Sequence, residues 1–117
     1  MEVIVSRDSV AAGDDVDAPH TRRLQIQSTS PKEFATQILR AYPLPLIGGG
    51  HATWVVSSGV PLAVVAQQWQ EPRLLKGVLD LANCDRKGET TLVHVSYLAQ
   101  IDPSCAAEVL DHLRLRC

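Results

Sequence analysis

Four histidines, His20, His51, His94 and His112, are the side chains of this chain that titrate near neutral pH without perturbation. Cys84 with His94 or His51 would make a nucleophile and its base, because such partners meet in space and not in sequence. No flanking motif accompanies either pair, and His94 alternates within a strand-like stretch, where a histidine is ordinarily structural. No catalytic residue is assigned. A second set is acidic: Asp14, Asp15 and Asp17, followed by His20. Carboxylates with an imidazole suit a transition metal. An EF-hand, however, needs ligands at alternate positions and a bidentate acid at its twelfth place, and Asp14-Asp15-Val16-Asp17 lacks that spacing. No metal site and no cofactor are expected. Gly48-Gly49-Gly50 is no phosphate loop either, since His51 and a strand follow it without Gly-Lys-Ser/Thr or a helix start. A backbone hinge or bulge is the expectation there.

The acidic set stands out by its concentration. The first 20 residues hold one arginine against Glu2, Asp8, Asp14, Asp15 and Asp17, a net charge of −4, while the other 97 hold ten cations against eight carboxylates, +2. Such polarity steers a basic partner and raises its rate of association. A solvated loop in which Asp and Gly serve turn geometry accounts for the same composition. Trp69, in Gln-Gln-Trp-Gln-Glu-Pro, sits among polar residues and suits either an interface anchor or a satellite of the core, whereas Trp54 lies inside a strand-like run and reads as core. The candidate partner-binding residues are therefore Asp8, Asp14, Asp15, Asp17 and Trp69.

These residues must be positioned by a short series of elements. Glu2-Val3-Ile4-Val5-Ser6-Arg7 is β-branched and bounded by polar residues, a first strand. Residues 21–27 alternate Leu24 and Ile26 against Arg23, Gln25 and Gln27, a half-buried second strand. Ser30 as cap, Pro31 at the first position and Glu33 spaced for a capping box predict a helix that carries Phe34, Ile38, Leu39 and Tyr42 inward. Pro43 and Pro45 end it. Residues 53–57 and 60–67 are Val- and Trp-rich strands around a Ser58-Gly59 hairpin. Residues 74–81 fit a helical turn or a strand, with Gly77 weakening the helix. A polar turn at residues 85–89 uses Gly88 for a positive φ. Residues 90–98 alternate Leu92, His94 and Ser96 against Val93, Val95 and Tyr97, a strand. Asp102-Pro103 starts a last helix, with Ala106, Val109, Leu110 and Leu113 as its apolar side. The order β-β-α-β-β-(β)-β-α predicts an α+β fold, a mostly antiparallel sheet with two helices. Its early β-β-α-β run resembles a β-grasp.

At 117 residues and 12.7 kDa the chain suits one domain, residues 1–117. Apolar residues make 45% and charged residues 21%, a globular balance that excludes disorder. No apolar run approaches the about 20 residues of a membrane span, no basic terminus precedes one, and a net charge of −2 gives no footprint for nucleic acid. Cys84, Cys105 and Cys117 are an odd set without Cys-x-x-Cys, so the first two are expected as core filling and the third as a terminal thiol. A reduced, cytoplasmic setting is the expectation.

The chain size, the 8–20 segment (Asp-Ser-Val-Ala-Ala-Gly-Asp-Asp-Val-Asp-Ala-Pro-His) and the missing enzyme motifs are similar to those of the small immunity proteins of bacterial toxin–immunity pairs, such as those of contact-dependent growth inhibition. The resemblance implies a cytoplasmic protein that binds and blocks one cognate toxin domain, often a basic nuclease. Acidic side chains would stand in for substrate phosphates and engage toxin Arg and Lys. Two other classes stay open. One is a small enzyme using Cys84 or a histidine; the other is a β-grasp-type adaptor or structural subunit whose sheet edge pairs with another chain.

Overall fold

The computed structural model describes residues 1–8, 21–27, 30–44, 50–75 and 84–116. The β-branched amino terminus forms β1 (Glu2–Arg7), and the alternating run after the acidic segment forms β2 (Thr21–Gln25). α1 (Pro31–Ala41) follows, then β3 (Thr53–Ser58), β4 (Val60–Ala66), the short strands β5 (Arg73–Leu74) and β6 (Arg86–Lys87), β7 (Thr90–Tyr97) and α2 (Pro103–Arg116). The strands join in one sheet of order β2-β1-β7-β3-β4-β5, with β6 on β7. β1 and β7 pair in parallel at its centre, and the other pairings are antiparallel. This is the α+β architecture expected. β1 and β2 pair as neighbours, and β7, the last long strand, returns to lie beside β1. Most of the ambiguous stretch at 74–81 lies outside the described residues; its first residue closes β5, and Leu75 behind it is buried.

Register decides which side chains share a face. Val5 lies opposite Val93, Val95 opposite Val56, and Tyr97 opposite Trp54. That face, with Val3 and Val5 fully buried, takes Phe34, Ala35 and Ile38 of α1 into one core cluster. Trp54 is 1% exposed and meets Tyr97 at 4.7 Å between ring centroids. Ser30 caps α1 in an extended conformation, but its hydroxyl makes no cap hydrogen bond, so the expected capping box does not form. The first turn instead closes through the main chain, with Phe34 N–H donating to Ser30 O at 2.8 Å. Proline at the first position relieves one orphan donor there, which lessens what a capping side chain must do.

The opposite face is only half covered. α2 lies over β3 and β4, with Val55, Ser57 and Ser96 beneath its Ala106 and Leu110. Asp102 caps it as expected: its Oδ1 accepts from Ser104 N–H at 2.9 Å. Two expectations for α2 are corrected. The helix turns Pro103, Ala106, Ala107 and Asp111 inward at i, i+3, i+4 and i+8, which leaves Val109 53% exposed. Cys105 lies on the same outer side and is exposed, not core filling, whereas Cys84 is half-buried against the core. Cys117 lies outside the described residues. Gly59 turns the β3–β4 hairpin at φ +76°, and Gly88 turns the β6–β7 hairpin at φ +65°, both in the left-handed region that favours glycine. Among the described residues no helix is long and apolar enough to cross a membrane.

Candidate functional site

Strand direction brings the candidate residues toward one end of the sheet. β1 and β7 run in parallel, β3 runs against β7, and β4 against β3. Asp8 at the end of β1, the turn after β4 that carries Trp69, and the lead into α2 therefore leave the sheet at the same end. Thr21 returns there too, since it pairs with Ser6. The acidic segment thus departs from and re-enters neighbouring positions of one hairpin.

Asp8 holds the departure point. Its Oδ1 lies 2.8 Å from His94 Nε2, and its Oδ2 accepts from Tyr97 N–H at 2.9 Å. Asp8 N–H donates to Val95 O at 3.0 Å, the last rung between β1 and β7. The side chain of Asp8 is 45% exposed and that of His94 43%. A carboxylate only accepts, so Nε2 carries a proton; the other ring nitrogen, Nδ1, meets Ser6 Oγ at 2.8 Å. The His94 hydrogen bond, with the Tyr97 amide and the imidazole's charge behind it, holds the Asp8 carboxyl below its usual range against a smaller opposing effect of burial. A neighbouring cluster repeats the theme. Glu2 accepts from Thr90 Oγ1 at 2.8 Å and from Arg23 Nη1 at 2.6 Å. The Thr90 hydroxyl first, then Arg23, lower the pKa of Glu2.

Ser6, His94 and Asp8 have the composition of a nucleophile, base and orienting carboxylate. Ser6 sits within β1 in register with both Thr21 and His94. The cluster fastens the end of β1 to β7. Both ring nitrogens of His94 are thus engaged, by Ser6 and by Asp8.

The remaining candidates divide. Asp14, Asp15, Asp17 and His20 lie outside the described residues. Trp69 is half-buried and packs against the core while lining a cleft of 370 Å³ between α1 and the turn after β4, with Leu39, Arg40, Val65 and Glu71. A second recess, an apolar groove of 510 Å³, runs between α2 and the sheet over Val55, Ser57, Ser96, Leu98, Ile101 and Val109. Sequence reading missed Ser6, the Glu2–Arg23–Thr90 cluster and this groove. One signal was available: Ser6 and Asp8 stand two apart on a strand and so share a face. The histidine between them required the β1–β7 pairing, across 86 residues of chain from Asp8.

No protein-family model matches the chain, and neither a curated protein nor a solved structure is significantly similar to it.

Proposed function

We propose that this chain is a binding protein of the immunity type, which neutralises a cognate toxin domain, a basic nuclease, by occluding its active site. In this reading it works in the cytoplasm, takes no cofactor and performs no chemistry of its own. One observation supports it above the rest: a segment that brings residues 1–20 to −4 in net charge is rooted at both ends in paired strands, Ser6 against Thr21. A rooted loop loses less conformational freedom on binding than a free tail, so more of its electrostatic attraction is retained as affinity. Asp8 then acts as the root, since its carboxylate is already held by His94 and the Tyr97 amide. Asp14, Asp15 and Asp17 make the contacts with toxin Arg and Lys, and Trp69 adds an aromatic anchor at the same end of the sheet.

The test begins with capture of the tagged protein from its source cell under crosslinking, and identification of what it retains. The retained protein should arrest growth when expressed alone and be neutralised by co-expression of this chain. Replacing Asp14, Asp15 and Asp17 by Asn should leave the melting temperature nearly unchanged and slow association by about tenfold or more at low salt. The wild-type rate should fall as salt is added. Salt-independent association with an unaltered rate in the triple variant removes the acidic segment from the interface. A folded Cys84→Ser, Ser6→Ala or His94→Gln protein that binds but no longer protects transfers the reading to an enzyme.

A further inference from the structure

Among the described residues β2 forms one edge of the sheet, with no strand on its outer side. Main-chain bonds run both ways between Met1 and Ile26, at 3.1 and 2.9 Å. In an antiparallel ladder, bonded and non-bonded pairs alternate. Val3–Leu24 and Val5–Arg22 are therefore bonded pairs, while Glu2–Gln25, Ile4–Arg23 and Ser6–Thr21 are not. The N–H and C=O groups of Thr21, Arg23 and Gln25 consequently point away from β1. The bond from Asp8 N–H to Val95 O agrees, because it directs the even-numbered positions of β1 toward β7. Among the described residues no strand or side chain pairs with those outward groups, and all three residues are exposed. An edge of this kind is a template for an added strand.

The charge on the edge selects the occupant. β2 reads Thr-Arg-Arg-Leu-Gln, two cations and no acid. Arg23 is 64% exposed and holds Glu2 through Nη1, which leaves further guanidinium donors for a second carboxylate. A second copy of the chain fits poorly. Full antiparallel overlap of two β2 strands sets Arg23 opposite Arg23, a slip of two residues toward Thr21 sets Arg22 opposite Arg22, and a slip toward Gln25 sets Arg23 opposite Gln25; like charges directly opposite are destabilising, and no register offers Arg23 a carboxylate. We propose that β2 is a docking edge for an extended segment of another protein that carries a carboxylate side chain opposite Arg23. The contact is distinct from that of the acidic segment and stands whether or not that segment meets a toxin.

The probe is the pentapeptide acetyl-Thr-Val-Glu-Val-Thr-amide, titrated into the ¹⁵N-labelled full chain. Amide shifts should centre on Thr21, Arg23 and Gln25. The same peptide with Lys for Glu should bind about threefold more weakly, the scale of a cross-strand charge pair. The peptide N-methylated at its glutamate should not bind. Arg23→Pro should abolish binding and keep the β1–β2 ladder, because the amide it removes points outward. Arg23→Glu should bind the Lys peptide better than the Glu peptide. Shifts centred on the groove under α2 or on β5, or undiminished binding of the methylated peptide, overturn the proposal. So does self-association in sedimentation with protection of the three outward amides, which assigns the edge to a second copy.

Discussion

The two faces of the sheet differ in how they are closed, and β7 displays the difference along a single strand. Thr91, Val93 and Val95 point to one face and are at most 2% exposed, in the core that α1 completes. Leu92, His94 and Ser96 point to the other and are half-buried, because α2 stops over β3 and β4. One face is held by apolar burial and shape. The open half of the other is held by directed polar contacts, Asp8–His94–Ser6 and Glu2–Thr90–Arg23. Apolar burial is non-directional and scales with area. Exposed polar contacts contribute little each, yet they fix particular atoms, which suits the root of a charged segment.

Breaking the closed face should have the largest effect. Phe34 of α1 is fully buried, and Phe34→Ala should cost about 3–5 kcal/mol in chemical denaturation, the range for an aromatic core residue. Loss of under 1 kcal/mol would mean that α1 is not closing the core. The open face should give a smaller and more local response. Asp8→Ala removes the acceptor of the Tyr97 amide and the partner of His94, and should cost about 1 kcal/mol while speeding hydrogen exchange at Tyr97. Acid should reproduce it. The Asp8 pKa is lowered in the folded state, so its contribution is complete above the ordinary carboxylate value of 3.8 and is lost as pH falls through the depressed one. Tyr97 amide protection that is unchanged as Asp8 protonates would show that the root is held by main-chain bonds alone. The smallest effect is expected at the exposed rim of the groove beside α2. Val109 is 53% exposed, and Val109→Ser should change stability by no more than about 0.5 kcal/mol. A larger loss would mean that the groove beside it is covered in the folded protein.

Local chemistry accounts for the parts that were legible in the sequence. Pro31 and Pro43 bracket α1, Asp102 caps α2, and Gly59 and Gly88 take the positive φ that their turns require. Each signal depends on a residue's own backbone or on neighbours within a turn of it. The failures have a common origin as well. Ser30 has a capping residue's side chain and backbone, yet its hydroxyl makes no cap hydrogen bond. Val109 and Cys105 are apolar and helical, yet the rotation of α2 about its axis is set by where it meets β4, and that rotation turns them outward.

Of the candidate site, the sequence by itself determined the charge of the first 20 residues and the alternation that puts Ser6 and Asp8 on one face, since both are properties of neighbours along the chain. Only the tertiary structure decided that Asp8 is engaged within the protein. The partner that holds it, His94, arrives through parallel pairing of the first and last long strands, Ser6 opposite His94. That pairing closes nearly the whole chain into one loop, and its register is set by burying the valines of β1 and β7 together under α1. The same cause places β2 at the edge: the hydrophobic match that draws β7 to one side of β1 leaves β2 on the other, with no further strand beyond it among the described residues.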